Sequence, residues 1–361
     1  MVKYLAIETY SKFPLNIINI KRLVGGESML NRKSVALIAI IVVLMLLVTV
    51  GCNAVKTKDE FEDELPQGLE PEGDAEDSED AEDENVRETV VYYQNDAGYL
   101  VPVMRKIPWE EGIAKATLRM TIDSPEIQQD LMAMGLKALL PAGTQILGMS
   151  IKDGLAKLDL SKEAMECENA VAEHNMIQGI TLTLTEFETI DRVQFMFDGK
   201  IVDRLKYGTD VSKPIEPEDV NFEMGSNAGS DGAKVTVFFH SNPDAIFDYI
   251  VPVTRMVSAE SASIETAIQE ILNGPSDDSL SMDIPAGTQL LGVETDNGVV
   301  LVNFSKEFEH LAQLPQSEPL VLRSIIMTAK QFPGVEDVKI LVEGKEYEGG
   351  EISVSAFANE Y

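Results

Sequence analysis

Between residues 89 and 107 the apolar positions fall into two β-rich runs, 89–94 and 99–107, and a similar pair occupies 234–240 and 247–257. Short alternating or continuous runs of this kind predict strands. Helical patterns follow at 109–122 and 260–273. Next come the runs 145–151 and 155–160, joined at Asp153-Gly154, and the runs 289–295 and 299–304, joined at Asn297-Gly298. Both central residues of a type I′ turn take positive φ, which these dipeptides accommodate, so each predicts a hairpin. Ser161 and Ser305 then suit helix starts, where a serine oxygen satisfies a free amide. Helices are predicted at about 170–187 and 318–332; in the second, Leu322, Ile325, Ile326, Ala329 and Phe332 recur on one face. Closing strands are read at 192–198 and 335–343. The order β-β-α-β-β-α-β puts helices on one face of a mostly antiparallel sheet, an α+β arrangement, with the other face exposed.

This order occurs twice because the chain repeats. Pro141-Ala142-Gly143-Thr144-Gln145-Ile146-Leu147-Gly148 returns as Pro285-Ala286-Gly287-Thr288-Gln289-Leu290-Leu291-Gly292. Tyr99-Leu100-Val101-Pro102-Val103 matches Tyr249-Ile250-Val251-Pro252-Val253, and Leu158-Asp159-Leu160-Ser161-Lys162-Glu163 matches Val302-Asn303-Phe304-Ser305-Lys306-Glu307. Phe197-Asp198-Gly199-Lys200 matches Val342-Glu343-Gly344-Lys345. The shared order and near-equal spacing mark one small domain duplicated. Each copy holds a complete set of elements and is expected to fold alone. The copies span 89–207 and 234–347; the Gly-, Pro-, Ser- and acid-rich stretch 208–233 reads as the linker between them, and 348–361 as a C-terminal tail.

The N-terminal part has a different pattern. From Val35 to Val50 nearly every residue is apolar, behind Arg32 and Lys33 and ahead of Gly51-Cys52. Sixteen residues fall short of the roughly 20 a bilayer span needs, and a basic start, an apolar run and a small residue form a secretory signal. Thr49-Val50-Gly51-Cys52 resembles the lipobox of bacterial lipoproteins, although Thr49 stands where Leu or Val is usual. The resemblance implies cleavage behind Gly51 and a diacylglyceryl group on Cys52. The competing reading is an uncleaved anchor helix with Cys52 incidental; either way the remainder sits outside the cytoplasm, on the cell membrane. Met29 reads as the true start, so 1–28 is an upstream extension and 29–51 the signal peptide. Residues 52–88 form an acidic tether. Fifteen acidic residues lie between Asp59 and Glu84, too polar a run to offset chain entropy by burial. About 34 residues from Cys52 to Asn85 span roughly 30 Å as a flexible coil.

Composition narrows the function classes. Acidic residues outnumber basic ones 61 to 29, which repels a phosphate backbone and sets nucleic acid aside. Two cysteines, Cys52 and Cys167, exclude a disulfide framework. His174, His240 and His310 show no metal-ligand spacing, and there is no nucleophile elbow or phosphate loop, so no catalytic, metal or cofactor residue is assigned. Cys167 has no base at motif spacing and reads as a buried structural thiol. Asp159 faces Asn303 in the second copy; the interchange favours a turn residue bonding backbone amides over a catalytic carboxylate.

Asn273-Gly274-Pro275, Ile284-Pro285-Ala286-Gly287-Thr288, Val302-Asn303-Phe304-Ser305-Lys306 and Phe332-Pro333-Gly334-Val335 together resemble the GerMN domain of sporulation and germination lipoproteins. The resemblance covers about 90–345. The first copy departs from it in Asp123-Ser124-Pro125 and in an apolar loop from Leu131 to Leu140. It implies a domain similar to ring-building modules, working by protein contact in spore formation or germination. The expected partners are membrane lipid through acylated Cys52, an envelope or sporulation assembly, and a second copy of the chain. Two other classes stay open: a solute-binding lipoprotein of a transporter, which a deep interlobe pocket would favour, and a cell-wall hydrolase accessory, which turnover of peptidoglycan would favour.

Overall fold

The computed structural model describes residues 86–224, 232–241, 247–349 and 358–359. The upstream extension, the signal segment with Gly51 and Cys52, and the acidic tether through residue 85 lie outside these residues. Among the described residues no helix is long and apolar enough to cross a membrane.

The first copy begins with β1 (Val86–Asn95) and β2 (Leu100–Pro108), an antiparallel pair. Two short helices follow, α1 (Ile113–Arg119) and α2 (Pro125–Met132), then the two-residue β3 (Leu136–Lys137) on the free side of β1. A second sheet holds β4 (Ile146–Lys152), β5 (Gly154–Leu160) and β6 (Ile190–Phe197) in that order, with α3 (Ala170–Thr185) connecting β5 to β6. The second copy repeats the plan: β8 (Ala233–Ser241), β9 (Tyr249–Val257), α4 (Ile264–Asn273), β10 (Leu290–Asp296), β11 (Val299–Phe304), α5 (Glu318–Lys330) and β12 (Asp337–Val342). β7 (Glu223–Met224) precedes it, and β13 (Lys345–Glu346) pairs with β12.

The α+β class is as expected, and the second copy has the expected strand and helix order, to which the first copy adds α2 and β3; the sheet arrangement differs. The strands of each copy divide between two small sheets, and β5–β6 and β11–β12 pair in parallel. The helix before each closing strand has a sheet on two sides: α3 packs against β1 and β6, and α5 against β8 and β12. This explains why α3 is buried from Asn175 to Leu184 without a polar face. A helix sandwiched in this way is buried all round and not amphipathic, and its polar side chains Asn175, Gln178, Thr181 and Thr183 are buried with it. Thr183 in α3 also accepts a hydrogen bond from the Tyr92 amide at 3.1 Å, which ties the helix to β1.

Local chemistry set the turns. Asp153-Gly154 and Asn297-Gly298 have positive φ at both residues, as type I′ hairpins require. In both copies the Pro-Ala-Gly-Thr element closes on itself, the Thr144 and Thr288 hydroxyls each donating to the proline carbonyl at 2.7 Å. The serines act differently from a helix cap. Only 3-10 turns follow them, and the Ser161 and Ser305 oxygens accept the Gln145 and Gln289 amides at 3.0 Å across the fold. Asp123-Ser124-Pro125, read as a loop, starts α2: the Ser124 oxygen accepts the Ile127 amide and proline takes the first helical position.

The copies share part of their core, while the first copy keeps a second cluster of its own. Val91, Tyr93, Val101, Val103 and Leu131 share one apolar cluster with Val237, Phe239, Val251 and Val253, while Tyr92 and Leu100, on the opposite strand face, join the cluster built around α3. Burying each large apolar side chain contributes about 1.5–3 kcal/mol, so the joint is stabilised by hydrophobic burial. Nor does the connector read as a free linker where it is described: Val211 and Val220 are buried, and Ile215 exchanges backbone bonds with Val193.

Candidate functional site

The seam between the copies is built from two strands of the duplicated motif and the extensions that follow each copy. Strands β2 and β9 lie side by side, and each carries a proline in mid-strand, Pro102 and Pro252. The connector after the first copy runs along β9: Val220 accepts the Thr254 amide at 3.1 Å, and β7 pairs in parallel with Arg255 and Met256. The tail after the second copy returns to β2, where Asn359 donates its amide to Pro102 at 2.9 Å and accepts that of Met104 at 2.7 Å. Each copy therefore lends its C-terminal extension to a strand of the other.

An asparagine side chain completes each exchange. Asn221 accepts the Leu100 amide (2.8 Å) and donates to the carbonyls of Leu100 and Pro252 (both 2.7 Å). Asn359 accepts the Ile250 amide (2.6 Å) and donates to the carbonyls of Ile250 (2.8 Å) and Pro102 (2.9 Å). One amide group has the acceptor and two donors that this pattern needs.

Buried arginines support the same strands. Arg105 lies over the Tyr93 ring, 5.2 Å from its centroid, and pairs with Asp130 at 2.9 Å. At the equivalent position Arg255 lies 4.9 Å over Phe239 and pairs with Glu270 at 3.3 Å and, more closely, with Glu223 of β7. The connector is thus fastened to the second copy by a charge pair as well as by backbone bonds.

The residues weighed for chemistry in the sequence are scattered. Asp159 accepts the Gly199 amide at 2.9 Å, and Asn303 accepts the Gly344 amide at the same distance; carboxylate and amide do one turn-holding job. Cys167 is buried against Met176 with 3.8 Å between sulfurs, and burial pushes its thiol up to about 11. It is not a thiolate at neutral pH. His240 is buried in β8, where loss of solvation lowers its pKa, and His310 is exposed in a 3-10 turn. His174, also exposed, lines an open hollow of about 420 Å³ with Asn175 and Asn221. Both asparagines there are occupied with backbone groups, Asn175 donating to Gly98 at 2.7 Å. Among the described residues no group of three His, Cys, Asp or Glu side chains is placed to hold a metal ion.

The seam asparagines and the buried arginines were missed by sequence reasoning. The arginines had a signal: both copies carry an arginine six residues after the tyrosine of their Tyr-x-Val-Pro-Val run, a charge in an otherwise apolar strand. Asn221 and Asn359 had none, because they sit in unlike surroundings, Asp219-Val220-Asn221-Phe222 and Phe357-Ala358-Asn359-Glu360.

This geometry defines a class: a tandem of one α+β domain, locked into a single body by exchanged C-terminal extensions. The family model described as "Germane: Sporulation and spore germination" matches residues 90–203 and 236–348, and the chain belongs to that family. It is 29% identical over 266 residues to the spore germination protein GerM of Bacillus subtilis (strain 168), covering 71% of each chain. The solved structure of the tandem GerMN domains of sporulation protein GerM from Bacillus subtilis superposes with a TM-score of 0.58 and 28% identity, over 72% of this chain and 92% of that one. The relationship supports a spore-related role.

Proposed function

We propose that the chain is a lipid-anchored, extracytoplasmic, non-enzymatic assembly module that acts in spore formation or germination. The observation that carries this reading is the duplicated use of polar residues as scaffold. Asp159 and Asn303 hold equivalent turns, and Asn221 and Asn359 fasten equivalent strands. Polar groups committed to backbone bonds are not available for acid–base or nucleophilic work, whereas a rigid tandem presents fixed outward surfaces to a partner. Anchoring rests on the basic start, the apolar run and Gly51-Cys52. Several acyl chains hold a protein on a membrane where one alone is marginal, and the acidic stretch would set the reach.

The test has two arms. An alkynyl fatty acid should label the wild-type chain and not Cys52→Ala; equal labelling of both would refute the anchor. Deleting 59–84 should impair sporulation or germination while the tandem stays folded, and an uncharged flexible spacer of equal length should restore it. No effect of the deletion, in an assay where Cys52 is essential, would refute the stand-off role.

A further inference from the structure

The second sheet of each copy presents an outer face, and the same row of three residues crosses both. In the first copy Lys152, Leu155 and Arg192 are consecutive partners across β4, β5 and β6. In the second copy the equivalent row is Asp296, Val299 and Asp337 across β10, β11 and β12. Residues paired across a ladder project from one face, so each row is an apolar centre flanked by two charges. The flanking charges are reversed between copies, lysine to aspartate and arginine to aspartate. Lys152, Asp296 and Asp337 are exposed, and Leu155, Arg192 and Val299 are part-exposed. Among the described residues none of the four charges enters an ion pair with a neighbour.

Surrounding residues keep the contrast. Lys157 lies beside the first row, and Asp153 and Asp191 flank it, leaving this end net positive by one charge. The equivalents Leu301, Asn297 and Glu336 leave the other end at minus three. In the next row Ser150 and Lys157 stand where the second copy has Glu294 and Leu301; beside them Gln194 is buried and donates to the Val211 carbonyl of the connector, whereas its equivalent Lys339 pairs with Glu346 at 3.2 Å. A chain this acidic repels itself overall, which makes a local cationic row unusual and gives it a complement elsewhere on the same chain.

From this complementarity we infer that the first-copy sheet face of one chain docks on the second-copy sheet face of another, with Leu155 against Val299 and Lys152 and Arg192 between Asp296 and Asp337. The contact joins unlike surfaces, so it is heterologous: it closes into a ring or extends as a filament according to the rotation between chains. Exposed ion pairs are individually weak and are screened by salt, so the contact depends on crowding of chains on a membrane surface. The inference deepens the assembly role proposed above and rests on it.

Full-length chains carrying Leu155→Cys and Val299→Cys, on separately tagged copies co-expressed in one cell, should form a disulfide-linked mixed dimer, and Leu155→Cys alone should not pair with itself. Lys152→Asp with Arg192→Asp in the first chain should cut the mixed product at least about tenfold, and Asp296→Lys with Asp337→Arg in the second chain should restore it. Restoration by charge exchange excludes simple misfolding of the first variant. No mixed product, self-pairing equal to mixed pairing, or a yield indifferent to the reversals would overturn the contact. If the contact is absent while the chain still co-purifies with envelope proteins, the docking surface is wrong and the assembly role stands. If cross-linking behaves as expected and the charge-reversed strain sporulates and germinates normally, the contact is right and the assembly role is wrong.

Discussion

Asn221 and Asn359 make the same three hydrogen bonds with the two copies exchanged: Asn221 brackets Leu100 and reaches Pro252, while Asn359 brackets Ile250 and reaches Pro102. The pair gives the seam an approximate two-fold relation inside one chain. Truncating either leaves strand amides and carbonyls without partners in a part-buried setting, which costs about 1–3 kcal/mol per orphaned group. Asn221→Ala and Asn359→Ala should each lower the stability of the intact chain by about 2–3 kcal/mol in urea unfolding. A loss below about 0.5 kcal/mol, the usual scale of neutral surface changes, would mean that water replaces these bonds at little cost.

Arg255 carries two carboxylates and an aromatic ring, and it is nearly inaccessible to solvent. Removing one member of a buried charge cluster strands the others, a loss of about 3–5 kcal/mol in well-buried cases. Glu223 and Glu270 retain some exposure, so Arg255→Ala should cost somewhat less, about 2–4 kcal/mol. Glu223→Gln should cost clearly less than Arg255→Ala, since Glu270 remains. Equal losses in the two variants would show that the connector contact, not the whole cluster, fastens β9.

Asp159→Asn should be nearly silent. Asn303 already performs the equivalent task, accepting the Gly344 amide as Asp159 accepts that of Gly199. Thermal unfolding should place Asp159→Asn within about 0.5 kcal/mol of wild type and Asp159→Ala about 1 kcal/mol below it. Should Asp159→Asn fold normally and abolish a hydrolytic activity, the non-enzymatic reading has to be given up.

Glu186 makes stability depend on pH. Burial pushes its carboxyl up to about 7 from an ordinary 4.5, against the opposing bond from the Tyr92 hydroxyl at 3.4 Å. Below about 4.5 the group is protonated whether the chain is folded or not. Between about 4.5 and 7 the folded chain holds a proton that the unfolded chain releases, so this group's contribution to stability falls as pH rises through that window. Glu186→Gln should remove that component of the slope and be more stable than wild type at pH 8. An unchanged pH profile would place the carboxylate in effective contact with solvent.

Much of the domain was legible because its information is local. Asp153-Gly154 and Asn297-Gly298 demand positive φ and so declare their hairpins, and the repeated Pro-Ala-Gly-Thr element carries its own closing hydrogen bond. The duplication also separated scaffold from chemistry, since an Asp in one copy against an Asn in the other already pointed to a shared acceptor role. Partition of the strands between two sheets was not legible. Apolar alternation tells which residues are buried, and it does not tell whether the material covering them is a helix, another sheet or the second copy. Val101 and Leu100 read alike, yet one joins the cluster shared with the second copy and the other packs toward α3.

By itself, the sequence determined the α+β class, the two copies, the hairpins and the structural standing of Asp159, each of which depends on residues close in the chain or on comparison between copies. Only the tertiary structure decided how the copies join. Asn359 bonds to Pro102 across 257 positions, and no local propensity, period or turn rule encodes a partner that distant. The two opposed charge rows belong to the same category. Lys152 and Arg192, like Asp296 and Asp337, are separated in the chain, and they become one surface only when the strand ladders place them side by side.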